Sequence, residues 1–173
     1  MSAKARREQI LEVLQQANQP ISASTLAKQF CVSRQIIVGD IALLRAGGVD
    51  ISATPKGYLM NRDRGGLRRQ VVCQHRREQM GEELNICVDH GCTVLDVIVE
   101  HPVYGQLAGQ IQVSTRYEVN QFLELVAQGS ARGLAELTDG IHLHTLRCPD
   151  EAAFQRVRQE LDAKGFLLKN ESD

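Results

Sequence analysis

Ser33-Arg34-Gln35-Ile36-Ile37-Val38-Gly39-Asp40-Ile41-Ala42-Leu43-Leu44-Arg45 decides how the first third of the chain folds. Ile36, Ile37, Ile41, Leu43 and Leu44 interleave with polar positions, and Ser33 stands where a hydroxyl can accept from a first-turn N–H. The spacing therefore predicts a capped helix over 34–46. Upstream, Ile10, Leu11, Val13, Leu14 and Ala17 predict a first helix over 4–17, ended by Asn18-Gln19-Pro20 because proline cannot continue the backbone ladder. A short second helix over 23–30 turns inward Leu26, Ala27 and Phe30. Two short helices joined by the tight turn Cys31-Val32-Ser33 read as a helix-turn-helix. Downstream, the apolar segments around Ile51 and Tyr58 flank Pro55-Lys56-Gly57, a turn with a cation at its tip, and predict a β-hairpin or wing.

This pattern has a chemical reading. Ser33, Arg34 and Gln35 head the third helix, and arginine and glutamine are the side chains that pair bidentately with guanine and adenine edges. Lys56 at the wing tip, with Arg6, Arg7 and Lys28, would hold phosphates without reading sequence. A winged unit used only for protein contact is the plainer alternative. Gly39 costs about 1 kcal/mol in a helix interior relative to alanine, which marks it as a point of close backbone approach.

Of the 173 residues, 1–66 carry nine Lys/Arg against five Asp/Glu and the remainder eleven against sixteen, so a basic front half precedes an acidic back half. This asymmetry predicts two domains with different partners: 1–61 for DNA, a polar linker over 62–66, and 67–173. A front half only mildly basic needs a homodimer presenting two copies to a pseudo-palindromic operator. Leu123, Val126 and the last helix are candidate dimer contacts, and packing within the monomer explains them equally well. No run approaches the ~20 apolar residues of a membrane span and no signal-peptide pattern opens the chain, which predicts a cytoplasmic protein. Five cysteines without a Cys-x-x-Cys pair argue against a disulfide framework or a zinc ribbon and are read as inert thiols.

In the back half, strands are expected around Val71-Val72-Cys73, over 94–99, over 107–113 and over 141–146, with helices over 78–89, 116–128 and 151–164. The order β-α-β-β-α-β-α predicts an α+β open-faced sandwich, an antiparallel sheet covered on one side by helices. On the last strand His142 and His144 flank Leu143, so period-two geometry turns both imidazoles to one face. His75, at the exit of the first strand, can add a third nitrogen. Glu83 on the next helix can add a carboxylate, and Glu82 points about 100° away from it, so only one of the two faces such a site. Three histidines and one carboxylate suit a divalent transition metal such as zinc, nickel or iron rather than magnesium or calcium. Paired surface histidines without metal are the bland alternative. His101, before Pro102, is expected to hold a turn by hydrogen bonding, and His90 to interact with the last carbonyls of a helix.

The stretches Glu83-Leu84, Leu95-Asp96-Val97-Ile98-Val99-Glu100-His101-Pro102-Val103-Tyr104-Gly105 and Leu137-Thr138-Asp139-Gly140-Ile141-His142-Leu143-His144 closely resemble the 3H domain, so called for its histidines. The front half, from Ser33 to Arg45 and through Thr54-Pro55-Lys56-Gly57-Tyr58, resembles the winged helix of niacin-responsive repressors. The resemblance spans roughly residues 5–165. It implies a bacterial, non-enzymatic transcriptional repressor of NAD biosynthesis or niacin uptake genes, with nicotinic acid as co-repressor and a metal held by His75, Glu83, His142 and His144. Gly39, where the family more often has a bulkier polar residue, and Thr115-Arg116-Tyr117, where it tends toward Ser-Arg, are departures. In the expected mechanism the effector fills an open coordination position while Tyr104 or Arg116 recognises the rest of it. Two alternatives stand beside this reading: a sensor whose effector is the metal itself, and a metal-dependent enzyme using the open position to activate water.

Overall fold

The computed structural model describes residues 1–61, 65–129 and 133–169, and the chain divides into two compact units, residues 1–64 and 65–173. Of the expected linker, residues 62–64 lie outside the described residues.

In the first unit each helix begins where a serine caps it. Ser2 accepts from the N–H of Ala5, Ser22 from Thr25 and Ser33 from Ile36, opening α1 (Ala3–Gln16), α2 (Ala23–Gln29) and α3 (Arg34–Ala46). Each cap satisfies one of the donors that a helix start leaves without an intrahelical partner. Ile10 and Leu14 of α1, Leu26 of α2 and Ile37 and Ile41 of α3 close one core, joined by Ile51 from the hairpin β1 (Ile51–Thr54) and β2 (Gly57–Met60). The wing is bound to the helices through a reciprocal backbone pair, Ile21 N–H to Tyr58 O at 2.9 Å and Tyr58 N–H to Ile21 O at 2.8 Å. Gly57 makes that approach possible: at φ +136°, a Cβ there would collide with the Ile21 backbone.

Among the described residues of this unit, one charged side chain is buried. Asp40 on α3 is buried and takes a 2.6 Å ion pair from Arg6 and a longer one of 3.5 Å from Arg7. Both arginines were expected to anchor phosphates. Their guanidinium groups instead neutralise a buried carboxylate, which would otherwise be strongly disfavoured away from water. Charge patterning along α1 could not show this, because the partner lies more than thirty residues away.

The second unit runs β3 (Leu67–Gln74), α4 (Met80–Asp89), β4 (Thr93–His101), β5 (Gly105–Val113), α5 (Arg116–Gln128), β6 (Ile141–Cys148) and α6 (Glu151–Ala163). This is the expected β-α-β-β-α-β-α order. The sheet is antiparallel throughout, in the order β3-β6-β4-β5. One face packs on the helices: Val71, Cys73, Val94, Ile111, Val113 and Leu146 from the strands meet Leu84, Cys87, Val119, Phe154, Val157 and Leu161. Short 3-10 segments lie at Arg77–Gln79, in place of the start of the helix expected over 78–89, and at Leu134–Thr138, which was not anticipated. After α6 the chain returns along β3, with Gln74 N–H donating to Phe166 O and Leu168 N–H to Val72 O, and Phe166 is buried.

Candidate functional site

Alternation along β6 buries His142, His144, Leu146 and Cys148 and leaves Ile141 exposed with the other intervening residues half-buried. The two histidines thus continue the helix-facing core stripe, and only 2% and 3% of their surfaces are exposed. Register sets Cys73 opposite His142 and Val71 opposite His144, so His75, just beyond β3, arrives on the same side. Glu83 lies on the inner face of α4, 1% exposed, whereas Glu82 points outward to pair with Lys164. The choice between the two carboxylates is thereby made.

The four side chains meet. The Nε2 of His75 lies 2.5 Å from Glu83 Oε2, that of His142 lies 3.1 Å from Oε1, and that of His144 lies 3.3 Å from Oε2. Each ring uses its other nitrogen on the backbone: Nδ1–H of His75 donates to Arg76 O at 2.9 Å, that of His142 to Gly140 O at 2.8 Å, and that of His144 to Asp96 O at 2.6 Å. Donation from Nδ1 leaves Nε2 as the atom each ring presents to Glu83, donating to the carboxylate when it carries a proton and offering a lone pair to a cation when it does not, the arrangement that orients histidine as a metal ligand. Three lone pairs and a carboxylate aimed at one small region repel one another unless positive charge sits among them.

Protons supply part of that charge. Burial opposes the imidazolium of His75 and of His144, but hydrogen bonding to Glu83 and its negative charge outweigh the burial and raise both above the ordinary histidine value. Burial works likewise against the Glu83 carboxylate, and the charge of His144 with the hydrogen bonds from the three rings holds it well below the usual carboxylate range. A divalent cation supplies the charge without stacking several buried protons. Donor atoms of His75, Glu83 and His142 lie within 4.8 Å of one another. The 3.1 Å from His142 to Glu83 is close to the roughly 3.3 Å between tetrahedral ligands that sit about 2.05 Å from a zinc-like ion, the 2.5 Å from His75 to Glu83 is a hydrogen-bond length, and His144 stands outside this group of three. The donor set therefore fits such a metal.

Gly140, Asp96 and Phe166 support the donors and were not singled out for this from sequence. Gly140 adopts φ +82°, and a Cβ there would stand 2.5 Å from the His75 carbonyl oxygen, so a side chain would push His75 away. Asp96 orients His144 through its carbonyl and binds the Thr145 N–H through its carboxylate. The Phe166 ring lies 5.2 Å from that of His75. Asp96 and Gly140 fall inside the Leu95–Gly105 and Leu137–His144 motifs, which is the signal that could have found them.

A cavity of about 380 Å³ adjoins the quartet. Met80, Leu84, Val97, Ile111, Phe122 and Leu134 give it apolar walls, Glu83 and the three histidines form its polar end, and Arg76 and Arg77 also line it. Arg77 is tied to Glu136 at 3.2 Å and to the Val126 carbonyl at 3.1 Å, bridging the second 3-10 turn to α5. The volume and the mixture of apolar wall with few convergent polar groups are those of a small-molecule site.

A model of the 3H domain matches residues 68–170, and one of an HTH domain matches residues 6–59. The chain belongs to the 3H-domain transcription repressors. It is 43% identical over 164 residues to the probable transcription repressor NiaR of Thermotoga maritima, covering 95% of this chain and 94% of that protein. Similarly, it is 44% identical over 169 residues to the transcription repressor NadR of Bacillus subtilis, with the same coverage. As a member of this repressor family the chain is a DNA-binding regulator rather than an enzyme.

The remaining residues singled out from sequence in this 3H repressor lie as follows. Ser33, Arg34 and Gln35 are exposed at the start of α3, and Lys56 is half-buried in the wing turn, its N–H on the Thr54 hydroxyl. Ile36 and Leu43 of α3 are also exposed. Neither Tyr104 nor Arg116 lines the cavity beside the histidines. Tyr104 is exposed in the β4–β5 turn, whose N–H groups at Val103 and Tyr104 donate to His101 Nδ1, the turn-holding role expected of that histidine. Arg116 donates to both carboxylate oxygens of Asp89, at 2.7 and 2.5 Å, and this bonding holds Asp89 below the usual carboxylate range. His90 does not turn to the helix carbonyls: its Nε2 meets Glu160 at 2.7 Å. Leu123 and Val126 are half-buried, the first packed against the core and the second lining the cavity. Among the described residues no helix is long and apolar enough to cross a membrane.

Proposed function

We propose that this repressor controls genes of NAD biosynthesis or niacin uptake, with nicotinic acid as co-repressor and a divalent transition metal held by His75, Glu83, His142 and His144. The observation that carries the reading is the convergence of three imidazole Nε2 atoms and one buried carboxylate at the polar end of a cavity with apolar walls. A pyridine carboxylate suits that cavity chemically. Its flat ring matches the apolar walls, its nitrogen or carboxylate can complete the coordination of a cation, and Arg76 in the lining offers positive charge to the acid.

The metal, when bound, supplies a Lewis-acidic anchor. The chain's own residues do the rest: the carbonyls of Arg76, Gly140 and Asp96 hold the three rings, and the walls of the cavity exclude water. The protein acts in the cytoplasm as a homodimer whose two helix-turn-helix units place Ser33, Arg34, Gln35 and Lys56 on operator DNA. Nicotinic acid represses by binding one arrangement of those units more tightly than the others, because only differential affinity can shift such an equilibrium. Similarity to repressors named NiaR and NadR supports the class of genes.

Band-shift titration on the DNA upstream of its own gene tests the proposal. Nicotinate with metal should tighten binding at least tenfold, a coupling of about 1.4 kcal/mol, and a chelator should remove the response. Equal tightening by metal without nicotinate would transfer the effector role to the cation.

A further inference from the structure

We propose that Cys92 and Cys148 form a latent disulfide, a covalent staple that closes when the protein meets an oxidised small-molecule disulfide. Thr93 of β4 is the register partner of Arg147 of β6, so in this antiparallel pair the next residues outward, 92 and 148, face each other. Both side chains enter the same core, with 0% and 1% exposure, and both thiols are free. Their sulfur atoms stand 2.7 Å apart, well inside ordinary contact and not far above the covalent length of about 2.05 Å. The backbone of Cys92 is fixed by its N–H on Cys87 O, at the end of α4, so the approach is set by the fold rather than by a loose loop.

Closure is an exchange reaction. Cys92 loses its proton, its thiolate attacks one sulfur of the small disulfide, that S–S bond breaks, and one small thiol leaves with a proton. Cys148 then loses its proton and attacks the Cys92 sulfur of the mixed disulfide, expelling the second small thiol with a proton. Two protein thiols are oxidised to one disulfide, and the small disulfide is reduced to two thiols. Burial pushes both protein thiols above the ordinary range, so the folded state reacts slowly and the first attack passes through local opening. The loop that the bond closes contains β5, α5 and both histidines of β6, but the bond lies at the opposite end of β6 from His142 and touches no candidate metal donor.

The full chain is incubated with excess oxidised glutathione, alkylated and mapped by mass spectrometry without reduction. The expected result is a Cys92–Cys148 cross-link with the loss of two hydrogens. The melting temperature should rise by more than about 5 °C, reversed by dithiothreitol. Cys148→Ala should instead retain a glutathione adduct at Cys92 and show no rise. Persistent adducts on the unsubstituted chain, a link through Cys31, Cys73 or Cys87, or no link after incubation at temperatures that open the domain would each overturn the proposal. Mapping of the unsubstituted chain decides the matter even if the variant fails to fold.

Discussion

At Glu83 one buried carboxylate answers three imidazoles, and this single residue governs the site's charge. Glu83→Gln keeps the size and a hydrogen-bonding oxygen but removes the anion. It should weaken binding of a divalent metal by more than about 100-fold, since even loss of a supporting hydrogen bond can reach that, measured by calorimetry with folding checked by circular dichroism. Because His75 and His144 hold protons above the usual histidine range, metal uptake must expel them. Affinity should therefore fall as pH drops, and calorimetry in two buffers of different ionisation enthalpy should register proton release. Gly39 makes an opposite kind of demand. A Cβ there meets no atom of the protein within 4 Å, so Gly39→Ala should stabilise α3 by about 0.5–1 kcal/mol, read by denaturant unfolding. The same variant should bind operator less tightly if that backbone lies against DNA. The four donors are legible from residue type, strand periodicity and spacing. Their supports are not, because a carbonyl that holds an imidazole carries no side-chain signature.

Elements translate those residues into a site. Period-two alternation on β6 and the inward stripe of α4 are both visible in the sequence, and together they aim His142, His144 and Glu83 at one another. Leu84 anchors α4 at its fully buried position next to Glu83. Leu84→Ala should cost about 2–5 kcal/mol and weaken metal binding in parallel, seen as a lower unfolding midpoint and a raised dissociation constant. What sequence misses at this scale has physical reasons. The turn Leu134–Thr138 is too short for a periodic signal and is ended by Asp139 in a left-handed conformation. The buried Asp40 binds arginines from a different helix, so α1 looks like a solvated cationic face although Arg6 is a structural counter-ion. Asp40→Ala should lower the melting temperature of the first unit by several degrees, whereas a phosphate-anchoring role for Arg6 predicts no such loss.

At the scale of the whole molecule, a helix-turn-helix unit and an α+β unit were both expected from pattern and charge, and the observed element order agrees. Tyr104 and Arg116 show the limit of that reading. Both sit in recognisable motifs, yet one is held in an exposed turn and the other in an ion pair with Asp89, because motif membership does not say which cavity a side chain lines. The return of the chain past α6 carries a practical implication. Phe166 is sealed beside His75, and the following residues extend the sheet at β3. A gene product stopped at Lys164 would keep every candidate donor atom and every described helix, yet should lose the packing that holds His75 in place. An affinity tag is therefore better joined to the amino end, and a premature stop codon this late is expected to behave as a null allele.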